Sequence, residues 1–160
     1  MYLFIIFING HTNSLTMNYS GDFQLNAPRE KLWGFLTTAE KVSQCFPGIT
    51  EIKREGEGYR VKGRVGIGPI RGDYNANFKY TELVPQSKMT ITARGTGMGG
   101  SIDLSASVMI GEGSPVKVSW IAELKVGGVL ASLGARVMDS VAKKMVEDLF
   151  QCMKQKVEGS

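Results

Sequence analysis

The residues of this chain that could do chemistry are few. Gly95-Thr96-Gly97-Met98-Gly99-Gly100 reads formally as G-x-G-x-x-G, the spacing of a dinucleotide site. That fingerprint must open a helix whose N-terminus meets a pyrophosphate, whereas Ser101 to Ile110 alternates with the period of a strand. The segment is therefore a strand-to-strand connection, and Gly66-x-Gly68-Pro69 is a turn of the same kind. General acid–base catalysis wants a histidine, carboxylate or lysine inside a pocket. The positions that face inward offer only Tyr59, Tyr74 and Tyr80 as polar members. Their hydroxyls could polarise a bound carbonyl, but anchoring strands is the commoner use. The single histidine, His11, stands in an N-terminal stretch unlike the rest of the chain. Two cysteines, Cys45 and Cys152, are too few for a disulfide framework and cannot make a zinc-type cluster with one histidine. They read as small hydrophobic thiols in a reducing cytoplasm, and no metal site is expected.

The elements that would position a site are legible from periodicity. Tyr19, Gly21, Phe23 and Leu25 alternate with polar residues as a half-buried strand requires. A helix follows, with Asn26 as its expected cap, Pro28 near its first turn, Glu30 at its positive end, and Leu32, Trp33, Phe35 and Leu36 as its apolar side. A second helical stretch near Ala39 to Ser43 leads to the turn Cys45-Phe46-Pro47-Gly48. The next eighty residues alternate: Tyr59, Val61 and Val65; Ile70, Tyr74, Ala76, Phe78 and Tyr80; Met89, Ile91 and Ala93; Ile102, Leu104, Ala106, Val108 and Ile110; Val116, Val118, Trp120, Ala122, Leu124 and Val126. A sheet wet on one face and dry on the other is antiparallel in nearly every case. One long helix, roughly Val129 to Val157, closes the chain and lays an apolar stripe of Leu130, Leu133, Gly134, Val137, Met138, Val141, Met145, Leu149 and Met153 on the dry face.

Composition bounds the function. The chain has 160 residues, 42% hydrophobic and 21% charged, which suits one globular domain. The net charge of +4 is spread among acids rather than clustered, so nucleic acid is not an expected partner. Residues 1–16 begin with the bare apolar run Tyr2 to Ile8 and read as an appendage outside the fold, with residues 17–158 as the domain. That run has no basic n-region and no cleavage site, and it falls far short of the ~20 apolar residues that span a bilayer.

Between sheet and helix lies the only large apolar interior. Gly134, Ala131, Ala106 and Ala122 leave room there, and Met89, Met138 and Met145 adapt to irregular shapes. A sheet wrapped on one helix can fill its concavity or keep it as an apolar pocket, and periodicity alone leaves both open.

Read in order, Cys45-Phe46-Pro47-Gly48, Val65-Gly66-x-Gly68-Pro69-Ile70-x-Gly72, Gly95-x-Gly97-x-Gly99-Gly100 and Gly127-Gly128-x-Leu130-Ala131-x-Leu133-Gly134-x-Arg136 resemble the carbon monoxide dehydrogenase G-subunit family, over about residues 17 to 157. The resemblance implies an α+β, START-like helix-grip fold: a curved antiparallel sheet of about six or seven strands around a long C-terminal helix, with two short helices after the first strand. It implies a non-catalytic accessory protein of a molybdenum-containing carbon monoxide dehydrogenase or related molybdenum hydroxylase. Such a protein carries no covalent cofactor. It holds a hydrophobic small molecule, a quinone or lipid, in the cavity, and links the enzyme to the membrane surface or quinone pool from the cytoplasmic side. Trp33, Phe46, Tyr74, Phe78, Met89, Trp120, Leu130, Ala131, Gly134 and Met138 are the candidate lining residues. The rival is a cyclase- or hydrolase-like enzyme using the same cavity; a third reading is an assembly chaperone that needs no ligand.

Overall fold

The computed structural model describes residues 2–8 and 14–159. Eight strands form one antiparallel sheet: β1 (Tyr2–Ile8), β2 (Ser14–Leu25), β3 (Ile49–Glu55), β4 (Gly58–Ile67), β5 (Ile70–Val84), β6 (Lys88–Gly97), β7 (Gly100–Ile110) and β8 (Val116–Gly128). Their spatial order is β1-β2-β8-β7-β6-β5-β4-β3. β3 to β8 thus form a meander, and β2 joins it at β8. Between β2 and β3 run helices α1 (Arg29–Thr37) and α2 (Ala39–Val42) and a 3₁₀ turn, Ser43–Cys45. Helices α3 (Val129–Ser132) and α4 (Ala135–Glu158) close the chain. This is the expected helix-grip arrangement.

Four expectations change on this scaffold. β2 begins at Ser14, and Leu15 and Met17 are buried in the core, so the packed chain starts upstream of residue 17. β1 pairs with β2, placing Leu3 opposite Tyr19 and Ile5 opposite Met17; a run of β-formers beside an open sheet edge gains a ladder of hydrogen bonds by joining it. Residues 9–13, with His11, lie outside the described residues. Asn26 does not cap α1: the cap position is Pro28, without a side-chain bond, and the Asn26 amide donates to Glu158 Oε2 at 2.7 Å.

The closing helix is broken. Gly134 takes φ +90°, a conformation L side chains rarely adopt, and stands directly before α4, so that α3 ends at Ser132 and α4 starts anew at Ala135. The buried stripe of α4 is consequently Met138, Val141, Ala142, Met153 and Val157, with Met145, Val146 and Phe150 half-buried between them, while Leu133 turns outward.

Finally, Cys45 and Cys152 are not free thiols. They form a disulfide, with Cα atoms 5.6 Å apart across a separation of 107 residues, which ties the 3₁₀ turn to α4. Counting cysteines could not show this, because the pair meets only once α4 lies across the sheet.

Candidate ligand cleft

Because strand registers pair residues of one face, the inner side chains form rows across the sheet. One row runs Phe78, Ala93, Leu104, Leu124, Met17; the next runs Tyr80, Ile91, Ala106, Ala122, Tyr19. In the second row tyrosines stand at both margins and Ala106 and Ala122 at the centre, which leaves depth over that part of the floor. Three apolar clusters cover this face. The first joins β2, β8 and the β4–β5 turn to α3 and α4 through Met17, Tyr19, Trp120, Val126, Leu130 and Met138. The second joins α1 and the end of α4 to Leu25, Val116 and Val118. The third, over β3 to β6, centres on Ala39, Val61 and Phe78 and includes no side chain of α4. Leu104 and Ala106 face inward at mid-floor, are only half-buried, and pack in none of the three clusters. The floor is only half-covered there.

The tyrosines fasten the walls of this gap. Tyr74 donates to the Pro47 carbonyl at 2.6 Å and Tyr80 to the Leu36 carbonyl at 2.8 Å, so each holds a strand to the α1–α2 side. Tyr19 donates to Asp139 Oδ1 at 3.3 Å, and Lys143 lies 3.1 Å from the other oxygen, which fastens β2 to α4. Burial pushes the hydroxyl of Tyr74 up and is the largest cause for the other two as well. The charge and hydrogen bond of Asp139 add to it at Tyr19; Tyr59 and Glu40 add to it at Tyr80. All three are neutral at ordinary pH and have carbonyl or carboxylate partners, as anchors do.

Trp120 is buried at 9% exposure and lies over Gly21, its ladder partner, where a Cβ would come within 2.8 Å of the indole Nε1. Phe150 reaches down from α4 to meet it, with ring centroids 5.8 Å apart, and meets Phe23 at 4.5 Å. Two further concavities differ in character. One of about 620 Å³ is lined by Asn77, Lys79, Arg94 and Asp103, and the other, of about 420 Å³, by Asn18, Ser105, Ser107 and Glu123. Both lie against the outer face of the sheet, where these polar and charged side chains stand, in the second beside the exposed Ile121.

Residues 21–158 match the profile of the G-subunit family of carbon monoxide dehydrogenase, CoxG. The chain belongs to that family. No curated protein sequence matches it. Among solved structures it is similar to a conserved protein from Geobacillus kaustophilus, at 23% identity and TM-score 0.83, over 89% of this chain and 96% of that one. It is also similar to a START superfamily protein from Mycobacterium smegmatis, at 15% identity and TM-score 0.64, over 89% and 97%. A third likeness is to the di-domain ARO/CYC BexL from the BE-7585A biosynthetic pathway, at 14% identity and TM-score 0.56, over 89% and 50%. These likenesses establish the START-like fold of this CoxG family member.

The ten candidate lining residues do not meet in one wall. Trp120, Leu130, Ala131 and Met138 belong to the first cluster, Met89 and the half-buried Trp33 to the second, and Phe78 with the half-buried Phe46 to the third. Tyr74 touches both the first and the third. Gly134 lines nothing: a Cβ there would meet no atom within 4 Å, because the residue sits at the break between α3 and α4 rather than on a helical stripe over the sheet. Leu104, Ala106, Ala122 and Leu124 lie along the floor of the candidate cleft without being among the ten, and Phe150 packs beside it against Trp120. The inward register marked the floor residues. Nothing in the sequence singled out Phe150, since the expected stripe ran through its neighbour Leu149.

Proposed function

We propose that this CoxG family member is a non-catalytic accessory protein that holds an apolar molecule, a quinone or lipid, over Leu104 and Ala106 and carries it between a molybdenum-containing partner enzyme and the membrane. The observation that supports the reading most is the half-buried, unclustered pair at the centre of an otherwise packed apolar floor. A gap lined by Ile91, Ala93, Ala122 and Leu124 favours a flat or chain-like hydrocarbon over a polar substrate, because a polar group there would lose its water without gaining a partner. Tyr19, Tyr74 and Tyr80 around this floor are committed to structural bonds, and Tyr59 is stacked on Phe78, which favours binding over an acid–base reaction.

Native mass spectrometry of the freshly purified chain, with organic extraction, tests this directly: a copurifying prenylated or acyl compound is the expected result. A short-chain quinone should also quench the fluorescence of Trp120, which neighbours Ala122 on β8, and Trp120→Phe should remove that quenching while Trp33→Phe leaves it. An empty protein that ignores added quinones and lipids sinks the reading.

A further inference from the structure

Two roofs cover the inner face from opposite sides, and each has its own fastenings. The segment from Ser43 to Gly48 is held to the sheet by Tyr74, which donates to the Pro47 carbonyl at 2.6 Å, and by the Arg64 amide, which donates to the Gly48 carbonyl at 2.9 Å. The ring of Phe46 packs on Phe78 in the third cluster, which takes no side chain from α4. α4 is fastened on the other side, where Tyr19 donates to Asp139, Phe150 packs on Phe23 and Trp120, and the Asn26 amide donates to Glu158. Across the gap the roofs share apolar packing, since Met153 and Val157 join Leu32, Leu36 and Val42 in the second cluster. Their one covalent joint is Cys45–Cys152. Cys152 stands two residues after Phe150, whose partner Trp120 pairs with Val108 on β7, two residues from Ala106. The joint therefore holds the part of α4 that lies beside the half-covered floor. Both cysteines are half-buried rather than enclosed, and the chain has no third.

We propose that Cys45–Cys152 is a reversible redox latch: a dithiol reductant opens it, the two roofs part, and the seam over Leu104 and Ala106 widens for ligand exchange. The exchange step rests on the apolar-ligand reading above. A thiolate of the dithiol attacks one cysteine sulfur and forms a mixed disulfide, while the other cysteine leaves as thiolate. The second thiolate of the reductant then closes on the first and releases the remaining cysteine. Two electrons pass from the dithiol to the pair, and two protons convert both cysteines to thiols. Disulfides open to solvent are the ones a dithiol can reach, and in a reducing compartment such bonds are transient rather than permanent. With no third cysteine the reduced pair has one intramolecular bond to return to, so the latch closes as it was. The fold survives opening, because each roof keeps the hydrogen bonds and ring contacts that fasten it to its own side of the sheet.

The test uses the full chain. Dithiothreitol at neutral pH, without denaturant, should convert a protein that takes up no iodoacetamide into one alkylated at both Cys45 and Cys152, and oxidised glutathione should restore the unreactive form once the dithiol is removed. Hydrogen exchange of the reduced wild type should rise about tenfold over residues 43–48 and 145–158 and stay unchanged in β8. Release of a short-chain quinone, followed by Trp120 fluorescence, should be about tenfold faster from Cys45→Ser with Cys152→Ser than from wild type. No reductant is present in that titration, because thiols add to quinones. A bond that resists dithiothreitol until the chain is denatured overturns the latch, as does exchange that stays level in the two segments. A rise that extends through β8 overturns it too, since it marks a brace whose loss unfolds the chain, and this result is read on the wild type even where the serine variant fails to fold. Quinone release at the wild-type rate from a folded serine variant also overturns it. A wild type that takes up no quinone strikes the ligand reading, and alkylation with exchange still decides whether the roofs are latched.

Discussion

Where α4 crosses the sheet beside β2, Phe150 lies 4.5 Å from Phe23 and 5.8 Å from Trp120, and the floor beneath is packed. On β7, Leu104 and Ala106 have the same inward register yet belong to none of the three clusters. Toward β5 the face is covered again, by Ala39 of α2 and by Phe46, whose ring meets Phe78 edge-on at 5.5 Å. One sheet therefore has a gripped half, a differently roofed half, and an open seam between. Facing the interior is not the same as being covered: alternation decides the first, and the path of the helices decides the second. The two roofs are joined chemically, since the Cys45–Cys152 disulfide ties α4 to the segment that covers β3 to β6.

Truncation on the gripped half should show the largest effect. Phe150→Ala should cost about 3–5 kcal/mol in urea unfolding, and Leu104→Ala in the seam well under half of that, because few neighbours are left to lose contact. Equal costs would erase the distinction between the two regions.

Removing the tie comes next. Cys45→Ser with Cys152→Ser, or reduction of the wild type, should lower stability by about 2–5 kcal/mol, as expected for a bond that closes a loop of this length. If the two roofs move apart, hydrogen exchange should rise in both α4 and the 43–48 segment. A rise confined to one of them would mean that the disulfide is not what couples them.

Enlarging a side chain sharpens the comparison. Ala142, buried on α4, should not accept leucine without about 1–3 kcal/mol of overpacking. Ala106→Leu should change stability by less than about 1 kcal/mol while weakening quinone binding, since it fills the seam. An Ala106→Leu protein as damaged as Ala142→Leu would show that the seam is already full.

The smallest effect appears only in alkali. Tyr19, Tyr74 and Tyr80 have hydroxyls raised above the ordinary tyrosine range. In the unfolded chain they ionise near pH ~10, whereas the folded chain retains their protons to higher pH. Above that point the unfolded state binds fewer protons, so stability should be level below pH ~10 and fall as pH rises beyond it. Tyr80→Phe should flatten the fall; a slope unchanged by that substitution would assign the loss to other groups.

Local sequence determined the strands, their inward faces and the small residues at Ala106 and Ala122, because a period of two is written into each strand and does not depend on what packs above it. The Gly97–Gly100 turn was legible in the same way, its central residues Met98 and Gly99 at φ 52° and 75° making a hairpin connection rather than a phosphate loop. Tertiary structure decided the rest. Gly134 sits in a run compatible with one continuous helix, and only its positive φ separates α3 from α4 and sends Leu133 outward. Cys45 and Cys152 are 107 residues apart, so their bond depends on α4 reaching the end of α2. Leu104 and Ala106 look like their packed neighbours on either side. Coverage is a relation between distant elements, and no single strand records which of its inward residues a helix will reach.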